Sequence, residues 1–350
     1  MKRAIAVLGA AALMSALSPI SRQPAAAAIG PVQVLACRSS NPQCWPTAFA
    51  FTPEGRIFYV ERFSGQIRVY NPSNGVDRLW KRIGGIATDG EQGLLGIALD
   101  PRWPDFKWVY VYYTSQSPLQ NNIHRLRGSS ERQALLSIPA SSHHNGGVIH
   151  MGPDEMLYVV TGDAGNRSRS QDLGDRAGKV LRIRKNGASP SNNPFSNRVW
   201  SYGHRNSFGF TFDPMTGRLW QSENGPECND EVNRIRRGRN FGWGPNSFCP
   251  DTNDSGPDPV GPSWTYNPGF APTGAAFCNG CRLGAAYEGR LLLGAWNDGR
   301  IRRLTLTPDR LGVSSSLRIY RHTSGILAVE AGPRGVYFSD SRGIYLLVNS

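Results

Sequence analysis

Phe208–Trp220 reads FGFTFDPMTGRLW. Apolar Phe208, Phe210 and Phe212 alternate with Gly209, Thr211 and Asp213, the period-2 pattern of a half-buried strand. A Pro-x-x-Gly turn follows at Pro214–Gly217, and a second β-rich run begins at Leu219. The same unit recurs as FAFTPEGRIFY (49–59), VIHMGPDEMLYV (148–159) and VEAGPRGVYF (329–338). A version with a longer turn is LGIALDPRWPDFKWVYVY (95–112), and a diverged sixth copy spans 274–293. In most copies another strand-like segment follows: GQIRVY, GKVLRI, GRIRRL or GIYLLV. Copies start near 49, 95, 148, 208, 274 and 329. Short strands repeated at this period predict an all-β, six-bladed β-propeller, each blade burying its faces against its neighbours. One such domain is expected over 29–350. Function is then expected in the loops around the central channel, with long inserts at 113–147, 163–178, 185–207 and 221–272.

Composition agrees with that architecture. The 350 residues include 40 Gly and 25 Pro spread along the chain, with 39% hydrophobic and 19% charged residues. Disordered, collagen-like and multi-pass membrane classes are excluded. Residues 1–28 read as a cleaved signal peptide: basic Lys2-Arg3, an apolar run from Ala4 to Leu17, then Ala26-Ala27-Ala28. The run is too short to span a bilayer. The mature protein is expected in the periplasm, at the cell envelope or outside the cell. Its 36 Lys+Arg against 26 Asp+Glu leave a net charge of +10. These basic residues are dispersed and form no recognised module, so nucleic acid is not an expected partner.

Export makes the six cysteines candidates for disulfides. Proximity suggests Cys37–Cys44, Cys228–Cys249 and Cys278–Cys281 among the possible pairings. The C-x-x-C at 278–281 has no second pair at zinc-ligand spacing, which favours a structural bridge.

Three segments at blade entrances carry candidate chemistry. Ser141–Gly147 (SSHHNGG) brings a histidine out of a Gly-rich loop toward the channel, where His144 suits proton abstraction. The same segment also reads as a solvated polar loop. Trp200–Asn206 (WSYGHRN) sets a fixed cation, Arg205, beside an amide, Asn206, a pair suited to a carbonyl or oxyanion. A surface arginine is the plainer reading. Ser222–Glu231 (SENGPECNDE) is dense in oxygen donors around a Gly-Pro turn, which suits a hard cation, although it matches no EF-hand loop.

Together with EQGLLGIA (91–98), TGDAGN (161–166), QDL (171–173), AGKVLR (177–182), DEVN (230–233) and NFGW (240–243), these segments resemble one family. It is that of the soluble quinoprotein sugar dehydrogenases, the glucose/sorbosone dehydrogenases, which include aldose sugar dehydrogenases. The resemblance spans roughly 45–350 and is most specific through 91–243. It implies calcium-assisted oxidation of an aldose-type sugar by pyrroloquinoline quinone (PQQ), with an electron acceptor that the sequence does not name. On the family pattern His144 falls on the general base, and Arg205 and Asn206 on the pair at the reacting quinone carbonyl. Glu91 falls near the cofactor. The carbonyls of Gly225 and Pro226 fall on the calcium that polarises the quinone, and Glu231 with the Phe241 carbonyl on a second calcium.

The C-terminal third departs from the pattern. The family meets the cofactor carboxylates with one Lys and two Arg, and those positions here are Asn297, Gly325 and Leu327. Arg300, Arg302, Arg321 and His322 are the nearby replacements the sequence offers. A non-catalytic propeller binding calcium with a carbohydrate or protein partner is the alternative, and a calcium-dependent lactonase a more distant one.

Overall fold

The computed structural model describes residues 28–38, 40–128 and 130–349. The expected signal peptide lies outside them, apart from Ala28. Six antiparallel four-stranded sheets stand around one axis, as the repeat predicts. The first holds β2 (Pro46–Phe51), β3 (Ile57–Glu61), β4 (Gln66–Asn71) and β5 (Val76–Arg82). The second holds β6 (Leu94–Leu99), β7 (Val109–Ser115), β8 (Gln120–Arg127) and β9 (Glu131–Pro139). The third holds β10 (Ile149–Met151), β11 (Leu157–Val160), β12 (Lys179–Ile183) and β13 (Val199–Tyr202), with α1 (Arg167–Gln171) between β11 and β12. The fourth holds β14 (Gly209–Phe212), β15 (Leu219–Glu223), β16 (Asp230–Ile235) and β17 (Trp264–Tyr266). The fifth holds β18 (Pro272–Phe277), β19 (Leu291–Ala295), β20 (Arg300–Leu306) and β21 (Val313–Arg321). The sixth takes β22 (Ala328–Gly332), β23 (Gly335–Asp340) and β24 (Gly343–Asn349) from the C-terminal end of the chain.

Its fourth strand is β1 (Ile29–Ala36), which runs antiparallel to β24 from Ile29 opposite Asn349 to Ala36 opposite Gly343. The ring therefore closes on a strand from the beginning of the domain. The repeat did not reveal it, because β1 is the outer strand of a blade whose repeat motif lies some 300 residues later.

The turn in the opening stretch behaves as its residues require. Gly217 adopts φ +67°, its N–H bonds the Asp213 carbonyl at 2.8 Å, and Thr216 Oγ1 donates to the Asp213 carboxylate at 2.6 Å. Arg310 of the fifth blade pairs with the same carboxylate, locking two blades. Apolar side chains gather into six clusters, and each one joins two adjacent blades. No blade buries its faces alone, which is why the motif must repeat and close.

The expected inserts need correction. Residues 113–147 are largely β8 and β9, 185–207 include β13, and 221–272 include β16 and β17. These are third and fourth strands of their blades, and their polar residues dilute the apolar alternation, either on a face in water, as in β9 (ERQALLSIP), or buried, as in β16 (DEVNRI). Of the four, only 163–178 is free of strand. The three disulfides pair as proximity suggested.

Candidate active site

The first strand of each blade lines the axis, and the loops entering these strands, with the hairpins between second and third strands, surround a cavity of about 650 Å³. His144, Arg205, Asn206, Glu91, Gly225 and Pro226 all line it, although they come from four separate loops. His144 sits just before β10 with φ +57°, a left-handed conformation unusual for a residue with a side chain. Its carbonyl is approached so closely that a Cβ on Gly162 would stand 2.0 Å away. Glycine at 162 is therefore a steric requirement.

Glu91 holds the 144–145 backbone in place. Its Oε2 accepts from the His144 N–H at 2.6 Å and from Asn206 Nδ2 at 3.1 Å. Asn206 Oδ1 in turn accepts from the Gly146 N–H at 3.2 Å. Base loop, carboxylate and amide thus form one unit. The His144 ring is oriented by Asp163, whose Oδ1 lies 2.7 Å from Nδ1. Asp163 is buried and also accepts from Trp243 Nε1 at 2.8 Å and the Gly165 N–H at 2.7 Å. A buried carboxylate bonding Nδ1–H fixes the tautomer in which Nε2 is the free base. Asp163 stood within a quoted motif but carried no role there; a carboxylate 19 residues from the histidine gives no sequence signal of contact.

Arg205 follows β13. Its N–H is held by the Glu223 carboxylate, its Nη1 donates to the Asn224 carbonyl at 3.0 Å, and its guanidinium lies over Trp243. The Nε is buried without a partner, and among the described residues no carboxylate lies within ion-pair distance. Burial pulls its pKa down, opposed by Asp163, Glu223, Glu91 and Asp230. Neighbouring His204 is wholly buried between Ser201 and Glu223 and stacks on Phe241, so it positions Arg205 and stays out of the cavity.

The Gly225-Pro226 turn is anchored by Asp230, which accepts from the Gly225 N–H at 2.9 Å and the Ala271 N–H at 2.8 Å. Among the described residues neither the Gly225 nor the Pro226 carbonyl accepts a hydrogen bond, and Asn224 Oδ1 is buried without a partner. Neutral oxygens beside carboxylates are a donor set for a hard cation. Glu231 and Phe241 do not line the cavity; Glu231 accepts from Asn233 Nδ2 at 2.9 Å, and the Phe241 carbonyl accepts from Asn253 Nδ2 at 2.7 Å. Burial beside Glu223 pushes the Glu231 carboxyl up to about 8.

A family profile described as Glucose / Sorbosone dehydrogenase matches residues 44–345. The chain belongs to this family. Among its curated relatives, quinoprotein glucose dehydrogenase B of Acinetobacter calcoaceticus is 31% identical over 238 residues, covering 57% of this chain and 50% of that one. Aldose sugar dehydrogenase YliI of Escherichia coli is 24% identical over 84% of this chain and 86% of its own length. The PQQ-bound aldose sugar dehydrogenase of Streptomyces coelicolor superposes with a TM-score of 0.79 at 28% identity, covering 93% of this chain and 99% of that one.

Within this glucose/sorbosone dehydrogenase propeller, two of the three positions expected to depart from the family pattern face the site. Asn297 and Leu327 line the cavity. Gly325 lies against Trp296, whose ring atom Cε3 would stand 2.5 Å from a Cβ at 325. The expected replacements are elsewhere. Arg300 pairs with Asp298 at 3.0 Å, Arg302 stacks on Tyr266 and Phe270, and His322 bonds Asp340 at 3.1 Å. Arg321 stands opposite Arg300 in the β20–β21 ladder. Instead Trp45, Trp296 and Arg62 form this wall, and sequence reasoning singled out none of them.

Proposed function

We propose that this protein is an exported, PQQ- and calcium-dependent dehydrogenase that oxidises an aldose-type sugar at its anomeric carbon. One observation carries the reading: the His144–Asp163 pair opens onto the same cavity as Arg205, a half-buried guanidinium with an unpartnered buried Nε and, among the described residues, no carboxylate partner. That cavity is large enough for a planar tricyclic quinone beside a sugar, and Arg205 fits an acceptor oxygen that gains negative charge. PQQ, when bound, supplies the two-electron oxidant that takes hydride from the sugar C1. His144 Nε2 removes the anomeric hydroxyl proton, and the sugar leaves as its lactone. Asp163 keeps the ring in the receiving tautomer and balances the charge it acquires. Arg205 and Asn206 donate toward the carbonyl region, with Glu91 holding Asn206 in register. The Gly225 and Pro226 carbonyls, with Asn224 Oδ1, would hold calcium, which acts there as a Lewis acid. Glu231, with the Phe241 carbonyl, would hold a second, structural calcium. Export rests on the N-terminal segment and on three disulfides.

The experiment is a titration of the mature protein with PQQ and calcium, followed by aldoses. Tight binding with sugar-dependent bleaching of the oxidised cofactor is expected. His144→Ala should retain binding and lose turnover by about 10²-fold or more. Failure to bind PQQ would replace the dehydrogenase with a binding propeller; unchanged turnover in the variant would remove His144 from the role of base.

A further inference from the structure

Two guanidinium groups line the cavity, and among the described residues neither is within ion-pair distance of a carboxylate. Arg205 belongs to the carbonyl end described above. Arg62 enters from the first blade, on the wall where Trp45 stands 5.5 Å from Trp296. Its guanidinium lies 5.6 Å from the Trp45 ring centre and 4.7 Å from that of Phe63. Nε donates to the Gln92 carbonyl at 2.9 Å, and Nη2 donates to the Gly90 carbonyl. Two of its five N–H donors are thereby used, and the rest lie on the paired nitrogens that suit a carboxylate.

Glu91 favours the charged form of Arg62 through space but makes no ion pair with it, and its Oε2 is turned to His144, Asn145 and Asn206. Backbone contacts hold Arg62 as well: its N–H bonds the Trp45 carbonyl at 3.1 Å, and its own carbonyl accepts from Leu94 at 2.9 Å. Gly93, at φ +144°, leaves room for the Arg62 Cγ, which a Cβ there would meet at 2.5 Å. The side chain is thus pinned along its stem and open at its tip.

We propose that Arg62 is the carboxylate anchor for the quinone of this chain, replacing from the first blade the cations absent at Asn297, Gly325 and Leu327. The assignment rests on the PQQ reading above. PQQ carries three carboxylates, and without Arg62 this wall would offer a cation to none of them. Trp45 and Phe63 back the guanidinium on a wall that stays partly open to solvent, and a planar guanidinium on two rings loses little freedom on binding.

The test is calorimetric titration of calcium-loaded protein with PQQ and with its trimethyl ester, without sugar, for wild type, Arg62→Met, Arg62→Lys and Arg321→Met. Arg62→Met is expected to weaken PQQ binding roughly 30-fold or more, with Arg62→Lys recovering part of it. The ester should bind wild type and Arg62→Met alike, and Arg321→Met, outside the cavity, should match wild type. Equal PQQ affinity in wild type and Arg62→Met overturns the assignment. An equal loss for PQQ and ester does so too, because Arg62 would then only support the 90–92 loop. A wild type that fails to bind PQQ overturns the proposed function itself, and this assignment with it.

Discussion

The two sides of the cavity are built on different physical terms. On the side of the second to fourth blades, Glu91, His144, Asp163, Asn206 and Trp243 are joined by directed hydrogen bonds of 2.6–3.2 Å. On the side of the fifth, sixth and first blades, Trp45, Phe63, Trp296 and Arg62 are held by ring stacking and by carbonyls. The first side fixes a proton acceptor by direction, since Glu91 Oε2 and Asp163 Oδ1 each gather more than one donor at set angles. The second side fixes a surface, and stacking tolerates exchange of one residue for another. This difference fits the sequence reading, in which the first side carries the family motifs and the second was expected to depart from them.

The largest effect should come from Asp163→Asn. With Trp243 Nε1 still bonded to the side-chain oxygen, the new amide would point N–H at His144 Nδ1 and force the proton onto Nε2. Turnover should fall by about 10²-fold or more with PQQ affinity unchanged. Steady-state kinetics beside a binding titration would show it, and a variant with normal kcat would mean that the directed network does not orient the base.

Next in size is Gly325→Ala, on the stacked side. The new Cβ would meet the Trp296 ring and carbonyl oxygen at 2.5 Å, and overpacking of this kind costs about 1–3 kcal/mol. Thermal unfolding should shift down by several degrees. An unchanged Tm would show that Trp296 moves aside freely and that the wall is softer than the base side.

The last effect appears only as pH changes and concerns Lys179, which braces the loop bearing Asp163. Its Nζ donates to the Arg169 carbonyl at 2.6 Å and to that of Ala177 at 2.7 Å, and burial lowers its pKa to about 7. The unfolded chain holds this proton up to about pH 10. Between those values the unfolded state binds more protons, so stability rises with pH. Relative to Lys179→Met, wild type should therefore gain unfolding free energy from about pH 7 to about pH 9. A pH-independent difference, measured by denaturant melts, would remove Lys179 from this role.

Much of this was legible in the chain. The Phe208–Trp220 unit predicted a first strand, a Gly turn and a second strand, and the structure has β14, Gly217 at φ +67° and β15 in those places. His144, Arg205 and Asn206 were readable because each lies in a short Gly-containing entrance whose chemistry is local. The outer strands were obscured, since a face in water carries polar residues whatever its conformation.

What the sequence by itself carried is the number of blades, the nearest-neighbour disulfide pairs as one possibility among several and, with the family resemblance, the positions of Glu91, His144, Arg205 and Asn206. These follow from local periodicity, proximity and short motifs. The tertiary structure alone decided three things: that β1 closes the sixth blade, that Asp163 and Trp243 orient His144, and that Arg62 stands on the wall built by Trp45 and Trp296. Ring closure is the reason: Ser339 donates to the Pro46 carbonyl across 293 residues, and only then do the two ends of the chain share a wall. No local pattern encodes such a neighbour, because the free energy that selects it comes from burying six blade interfaces at once.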